Sequence, residues 1–474
     1  MSKAQTPAEE DAAYEAAVKD LNGLQTNYQI IEQIKASGGR INANSIPEFA
    51  AFVEKLGHTV ESLDGLNVIH VAGTKGKGST CAFVQAMLQR MGGLRVGLFT
   101  SPHLIEVRER IQINGAALSR GAFARYFYEV YDGLRAASPA LRRVAPESPD
   151  MPMYFRFLTL MAFHVFLRER VDVAVVEVGV GGAYDSTNVI RRPAVCGIAS
   201  LGLDHQAALG ATLEEIAWHK AGIIKDAVPV FTVAQPPAAM RVVAERAAAH
   251  GAPLAVAAPV GDDVALGIAG THQRANAGLA LALVRAWVAQ HRPACSDGPW
   301  ALQGLREARW PGRTQSFASP RRADVAWHVD GAHTAESMAA CGAWFAGVAE
   351  ADPRACVLLF NAAHSRSADA LLQALAHSTQ ACRWVAAVFC PNVSARADSA
   401  NATVAPPDAA LAAQHAAARA WAALAPGAAL TVLPSIDAAV AHVEAAAYAA
   451  PVHVLATGSL HLVGGVLDAA KGSL

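Results

Sequence analysis

Val68-Ile69-His70-Val71-Ala72 leads directly into Gly73-Thr74-Lys75-Gly76-Lys77-Gly78-Ser79-Thr80, and an amphipathic stretch then runs to Met91-Gly92. A strand, a glycine-rich turn and a helix in that order make a phosphate cradle. Glycines let backbone N–H groups approach phosphate oxygens, the helix N-terminus favours negative charge, and Lys77 can reach terminal phosphates. The turn departs twice from the strict motif: Ala72 stands where the first glycine would be, and Gly78 separates Lys77 from Ser79. A plain glycine-rich turn with surface lysines is the alternative, but two lysines among three closely spaced glycines favour a nucleoside triphosphate.

Outward from this turn, short β-branched runs alternate with longer helical stretches, the pattern of parallel βαβ units. The expected strands are Val68 to Ala72, Val96 to Thr100, Val171 to Val178, Val195 to Ser200 and Val228 to Val233, near-continuous apolar runs like those of buried parallel strands. A second series follows Trp310-Pro311-Gly312-Arg313: Val325 to Val329, Cys356 to Phe360, Trp384 to Phe389, Leu430 to Leu433 and Val452 to Ala456. The fold class is therefore α/β, with two doubly wound domains. Pro311 and Gly312 interrupt regular structure between the series, which places the boundary near 308 and gives domains 1–308 and 309–474. The Ala-rich stretch Ala405 to Ala425 reads as a helix with a Pro-containing lead-in.

Several polar residues fall at expected strand ends, where the ligand crevice of a doubly wound sheet lies. Ser101 follows Phe99-Thr100, Glu177 sits near the end of an otherwise apolar strand, and Asp204-His205 follows the strand ending at Ser200. Together they suit a hard cation such as Mg²⁺, although histidine is a less usual ligand for it than carboxylate or hydroxyl. Taken singly, Glu177 reads equally as a partnered structural carboxylate, and His205 reads better as a satisfied loop histidine. Thr212-Leu213-Glu214-Glu215 is a capping box, so a helix starts there and places Lys220 on its last turn before Gly222. Without context that lysine merely complements the helix dipole. His164, inside Met161 to Phe166, reads as a core histidine. Asp330-Gly331-Ala332-His333-Thr334 again follows a strand and precedes a helix, where an Asp-Gly turn is the plainer reading, as a linker charge is for Arg313.

Composition narrows the function classes. With 53% hydrophobic and 17% charged residues the chain has ample material for packed cores. The 39 basic and 40 acidic side chains nearly cancel, so no global field recruits nucleic acid or an anionic membrane. No apolar run reaches membrane-spanning length. The seven cysteines show no paired metal-ligand spacing and read as reduced thiols. Met1 to Asp20 has neither a secretory core nor transit-peptide character, so cytoplasm is expected, with a mitochondrial form from an alternative start left open.

These motifs, taken in order, make the sequence resemble the folylpolyglutamate synthases of the Mur ligase superfamily, specifically their eukaryotic form, over nearly the whole chain from Asn22 to Thr457-Gly458-Ser459-Leu460-His461-Leu462. Gly73 to Ser79 matches that family's phosphate loop, both departures included. Ser101-Pro102-His103-Leu104 with Arg108-Glu109-Arg110-Ile111 and Asn114-Gly115 looks like its mobile loop beside the folate site. Met153 to Thr159, Leu201 to His205, His219-Lys220-Ala221-Gly222-Ile223, His272-Gln273 with Asn276, Trp310 to Arg313 and Asp330 to His333 match as well. The resemblance implies a P-loop ATPase-like N-terminal domain and a smaller Rossmann-like C-terminal one. It implies ATP contacts from Gly73, Thr74, Lys75, Gly76, Lys77, Gly78, Ser79, Asn276, Arg313, Asp330 and His333, with Lys77, Lys220 and His333 acting in catalysis. It further implies Ser101, Glu177 and His205 as ligands for Mg²⁺, two ions in all, and a carbamylated Lys220. One departure is visible: where the family shows Arg-Asp after Phe360-Asn361, here Arg366 is followed by Ser367.

The activity implied is ATP-dependent addition of L-glutamate to the γ-carboxylate of folate and its polyglutamates through an acyl phosphate, by a monomer. A dihydrofolate synthase or a bifunctional version shares almost every motif and is told apart by dihydropteroate as acceptor. An inactive nucleotide-binding regulatory protein would bind ATP without folate-dependent ADP release; the presence of Lys77, Glu177, His205 and Lys220 speaks against it.

Overall fold

The computed structural model describes residues 6–25, 44–137, 144, 149–296, 298–362, 367–394 and 411–471. The chain forms two compact α/β units. The first comprises Met1–His103, Arg108–Gly267 and Gln273–Arg309; the second comprises Leu104–Val107, Ile268–His272 and Trp310–Leu474.

The first unit is built on β1 (Ile69–Ala72), β2 (Val96–Phe99), β3 (Ile111–Ile113), β4 (Ala116–Ala117), β5 (Val173–Glu177), β6 (Val195–Ile198), β7 (Val230–Thr232) and β8 (Leu254–Val256), in spatial order β4-β3-β2-β5-β1-β6-β7-β8. From β2 to β8 all pairings are parallel. Their apolar runs explain this: every residue of β1, β2, β5 and β6 is buried, as strands covered by helices on both faces require. β1 lies between β5 and β6 with Val71 opposite Glu177 and Ala72 opposite Ile198, and Phe99 of β2 lies opposite Val176. This register brings the C-terminal ends of four strands level with one another.

At the opposite flank, β3 and β4 add an antiparallel ribbon. Asn114 and Gly115, with φ of 51° and 79°, form the two-residue turn between them. These are the positive angles of a type I′ hairpin, which Asn-Gly favours.

The second unit holds β9 (Gln315–Ala318), β10 (Val325–Asp330), β11 (Ala355–Phe360), β12 (Trp384–Phe389), β13 (Ala429–Val432) and β14 (Val452–Thr457), in order β13-β12-β11-β14-β10-β9. Only the edge strand β9 is antiparallel. One face packs Trp327, Val329, Val357 and Leu359 against Val440, Val463 and Leu467. The other packs Leu358 and Phe360 against Phe345, Leu372 and Trp421. Each such fully buried side chain contributes about 1.5–3 kcal/mol relative to exposure. The Ala-rich helix runs Ala412–Leu424; its Pro-containing lead-in and Arg366 lie outside the described residues.

Candidate active site

Gly73 and Gly76 set the turn after β1. Both have positive φ, 150° and 82°. A Cβ on Gly76 would lie 2.2 Å from Asn276 Oδ1, and one on Gly73 would lie 2.8 Å from Ala199 Cβ, so no side chain fits at either position. Asn276 thereby backs the loop. Its Nδ2 donates to Gln273 Oε1 at 2.9 Å, and Gln273 Nε2 donates to Ser79 Oγ at 3.3 Å.

Not every loop amide is left for a ligand. Thr74 and Lys75 N–H both donate to Ser200 O, at 2.8 and 3.1 Å, and Thr74 Oγ1 lies 3.1 Å from both Gly202 O and Gly202 N. This stitches the loop to the segment beyond β6. The helix Lys77–Met91 starts at Gly76 without any side-chain cap. Its first-turn amides, around Lys77, Gly78 and Ser79, are those a helix leaves unpaired, and they form the anion-facing end.

Two ammonium groups meet here. Lys77 Nζ donates to Gly73 O at 3.1 Å and Lys220 Nζ donates to the same carbonyl at 2.9 Å. Lys220 arrives on the helix Leu213–Ala221, whose N-terminus carries the expected reciprocal capping box between Thr212 and Glu215. Its side chain is 3% exposed. Burial, reinforced by the positive charge of Lys77, lowers the Lys220 amine to about 7, against the weaker opposing pull of Asp204 and Asp185. A helix-end lysine turned to solvent would show no such displacement.

Glu177, at the end of β5 and buried, lies 3.9 Å from Lys77 Nζ through Oε1, while its Oε2 accepts the Ser101 N–H at 3.1 Å. Ser101 and Glu177 thus converge. His205 heads the short helix Gln206–Leu209 with φ 52°, in an exposed position three residues past Gly202. His164 is a core residue, bonded to His58 at 2.9 Å and Glu129 at 2.9 Å.

Sequence reading missed Asp185. This buried carboxylate accepts Val180 N–H (3.1 Å), Thr187 N–H (3.0 Å) and Thr187 Oγ1 (2.7 Å), so it fixes the turn after Glu177. Burial nevertheless raises its pKa. The signal was Asp185-Ser186-Thr187, a side chain two residues before an amide it can cap. Arg110 was read only as part of a motif. It is buried, donates from Nε to His103 Nδ1 at 2.9 Å and stands 5.6 Å from the Tyr154 ring centre. The Tyr154 hydroxyl is buried without a hydrogen-bond partner among the described residues.

In the second unit, Asp330 ends β10. Its Oδ2 accepts Thr314 N–H at 2.8 Å and its Oδ1 accepts Ala332 N–H at 2.9 Å. Burial raises its pKa, against the opposing pull of Arg313. Arg313 Nη1 donates to Gly312 O at 3.1 Å. His333 Nδ1 donates to Gly331 O at 2.7 Å, which places any remaining ring chemistry on Nε2.

No family model matches the chain. Curated relatives do. The mitochondrial folylpolyglutamate synthase of Bos taurus is 44% identical over 427 residues, 83% of this chain and 71% of that protein. The folylpolyglutamate synthase of Neurospora crassa is 39% identical over 491 residues, 98% of this chain and 92% of that one. The structure of the Mycobacterium tuberculosis folylpolyglutamate synthase complexed with ADP superposes with a TM-score of 0.75 at 26% identity, covering 96% of this chain and 97% of that one. With a phosphate loop on a doubly wound sheet and identity this extensive to relatives matched over most of their length, the chain belongs to the folylpolyglutamate synthase family.

Proposed function

We propose that the chain joins L-glutamate to the γ-carboxylate of a tetrahydrofolate or its polyglutamates while ATP becomes ADP and phosphate. The observation that carries this reading is the meeting of Lys77 and Lys220 on Gly73 O, at an uncapped helix start and beside the Glu177 carboxylate. In the reaction the folate carboxylate attacks the γ-phosphate, ADP leaves, and the glutamate amine displaces phosphate from the acyl phosphate. Attack by one anion on another is opposed by charge repulsion. Lys77 and the first-turn amides offset that repulsion where charge develops. Buried Arg110, with the Tyr154 ring centre 5.6 Å away, is the candidate acceptor-side anchor.

The donor set fits magnesium. A carboxylate and a hydroxyl at adjacent strand ends are oxygen ligands for a hard cation. Among the described residues no group of three or more His, Cys, Asp or Glu side chains forms a metal cage. A cation held by one carboxylate, a hydroxyl and substrate phosphates needs none. Glu177, Ser101 and His205 are the proposed ligands, and bound Mg²⁺ would neutralise phosphate charge. The lowered Lys220 amine is neutral for a large part of the time at physiological pH. Its nitrogen can therefore add to carbon dioxide, losing a proton to give an anionic carbamate suited to a second ion. Asn276, Arg313, Asp330 and His333 are the proposed further nucleotide contacts.

Cytoplasm is the proposed compartment, and a mitochondrial form is the alternative that the bovine relative's name raises; among the described residues no helix is long and apolar enough to cross a membrane. A monomer is the proposed state. Turnover assayed with each substrate omitted in turn tests the reaction: ADP and phosphate in equal amounts, dependent on both folate and glutamate, are expected. Release of AMP and pyrophosphate would contradict it, and turnover with dihydropteroate as acceptor would extend the reading to dihydrofolate synthesis.

A further inference from the structure

Cys356 is the second residue of β11 and Cys382 precedes β12 by two residues. Parallel pairing of these strands, with Cys356 N–H donating to Arg383 O at 2.8 Å, brings the two segments side by side. The strand register is irregular at Cys356/Val357, and Cys382 sits in a tight turn closed by its own N–H on Thr379 O at 3.0 Å. Cys356 Sγ donates to Arg354 O at 3.7 Å, and the two thiols lie close enough for each to shift the other's titration. Cys356 is buried beneath the sheet's helices, whereas Cys382 is partly exposed.

We propose that Cys356 and Cys382 form a reversible dithiol/disulfide pair that exchanges with small thiol disulfides, Cys382 being attacked by and attacking the reagent and Cys356 resolving. The roles follow from the setting. Cys382 is the thiol a reagent can reach and Cys356 is covered; in keeping with this, the neighbouring Cys356 lowers the pKa of Cys382, while Cys382 and burial push the Cys356 thiol up. Cys81 and Cys341 are held well above the ordinary thiol value by burial, and Cys196 and Cys390 are pushed up to about 12, so these four are poor competitors.

The exchange balances in two steps. Cys382 thiolate attacks one sulfur of the small disulfide, forming a mixed disulfide and releasing one small thiolate that takes up a proton. Cys356 then gives up its proton, attacks the Cys382 sulfur and expels the second small thiol. Two protein thiols are oxidised and one small disulfide is reduced. The pair lies at the N-terminal end of β11, away from the C-terminal ends where α/β sheets bind ligands. Its product ties the loop containing the helix Ala368–Ser378 to the sheet.

The test is to incubate the full chain with oxidised glutathione under native conditions, quench with acid, alkylate with iodoacetamide and map peptides without reduction. A peptide cross-linked through Cys356 and Cys382, two hydrogens lighter than its parts, is expected. Cys356→Ser should instead accumulate glutathione on Cys382, and Cys382→Ser should leave Cys356 as a thiol. Recovery of Cys356 and Cys382 as separate alkylated residues in the unsubstituted protein would overturn the proposal, whatever the variants show.

Discussion

Two strand-to-helix turns, one in each unit, begin alike and finish differently. Gly73 to Lys77 follows β1 and Asp330 to Thr334 follows β10, each at the C-terminal end of a strand in a parallel sheet. In the first, the helix starts at a glycine with no side-chain cap, and two lysines crowd one carbonyl. In the second, Thr334 and Ser337 cap the helix reciprocally, and both Asp330 oxygens are spent on backbone amides. One turn keeps its helix-start amides and its cations for an outside anion; in the other, the Asp330 and Thr334 side chains are held by backbone amides. The lesson is energetic: replacements in the first turn should change chemistry with little change in stability, and replacements in the second should change stability directly.

The largest expected effect breaks the first turn. Lys77→Ala should lower the folate-dependent release of ADP by about a hundredfold to a thousandfold while the melting curve stays native-like. Unchanged turnover would remove the phosphate-loop assignment.

Lys220 comes next. Lys220→Ala should lose ligation yet keep ATP binding, with partial restoration by formate or acetate, and Lys220→Arg should fail despite its charge. If Lys220 only complements a helix end, the interaction is worth about 0.3–1 kcal/mol and arginine substitutes freely. The sign of the pH dependence follows from the lowered amine, at about 7. Below that pH the amine holds its proton and cannot add carbon dioxide; above it the neutral form can. Activation by bicarbonate in carbon dioxide-depleted buffer should therefore grow as pH rises through this value, and a flat response would contradict the carbamate.

In the second turn, Asp330→Ala strands the buried N–H groups of Thr314 and Ala332. A loss of about 1–3 kcal/mol for each stranded donor is expected in denaturant unfolding, reduced in part because the substitution also relieves the burial of a carboxylate. The smallest effect is Thr334→Ala, about 1 kcal/mol from the lost cap. If Lys77→Ala destabilised the protein as much as Asp330→Ala, the contrast between the turns would collapse.

Much of this was legible in the sequence because it is local. Apolar runs marked every parallel strand except the short β8, the Thr212 to Glu215 capping box placed Lys220, and glycine spacing marked the loop. β8, with two exposed residues in three, and the antiparallel edge strand β9, with alternating exposure, were not marked by such runs. β3 and β4 had a signal, since Asn114-Gly115 is a strong hairpin pair, but a three-residue and a two-residue strand were too short to read by alternation. What sequence could not supply is non-local. The approach of Lys220 to Gly73 spans 147 positions, and its burial, which separates a reactive amine from a dipole partner, exists only after folding. The capture of Thr74 and Lys75 amides by Ser200, and the meeting of Cys356 with Cys382, likewise depend on strand order rather than on any motif.

Ligation of glutamate to folate is read out by mass spectrometry of a tetrahydrofolate incubated with the protein, ATP and L-glutamate. Stepwise glutamate ligation predicts a ladder of products, each heavier by one glutamyl residue, that needs all three substrates. An unextended folate in the presence of bound and hydrolysed ATP would contradict it.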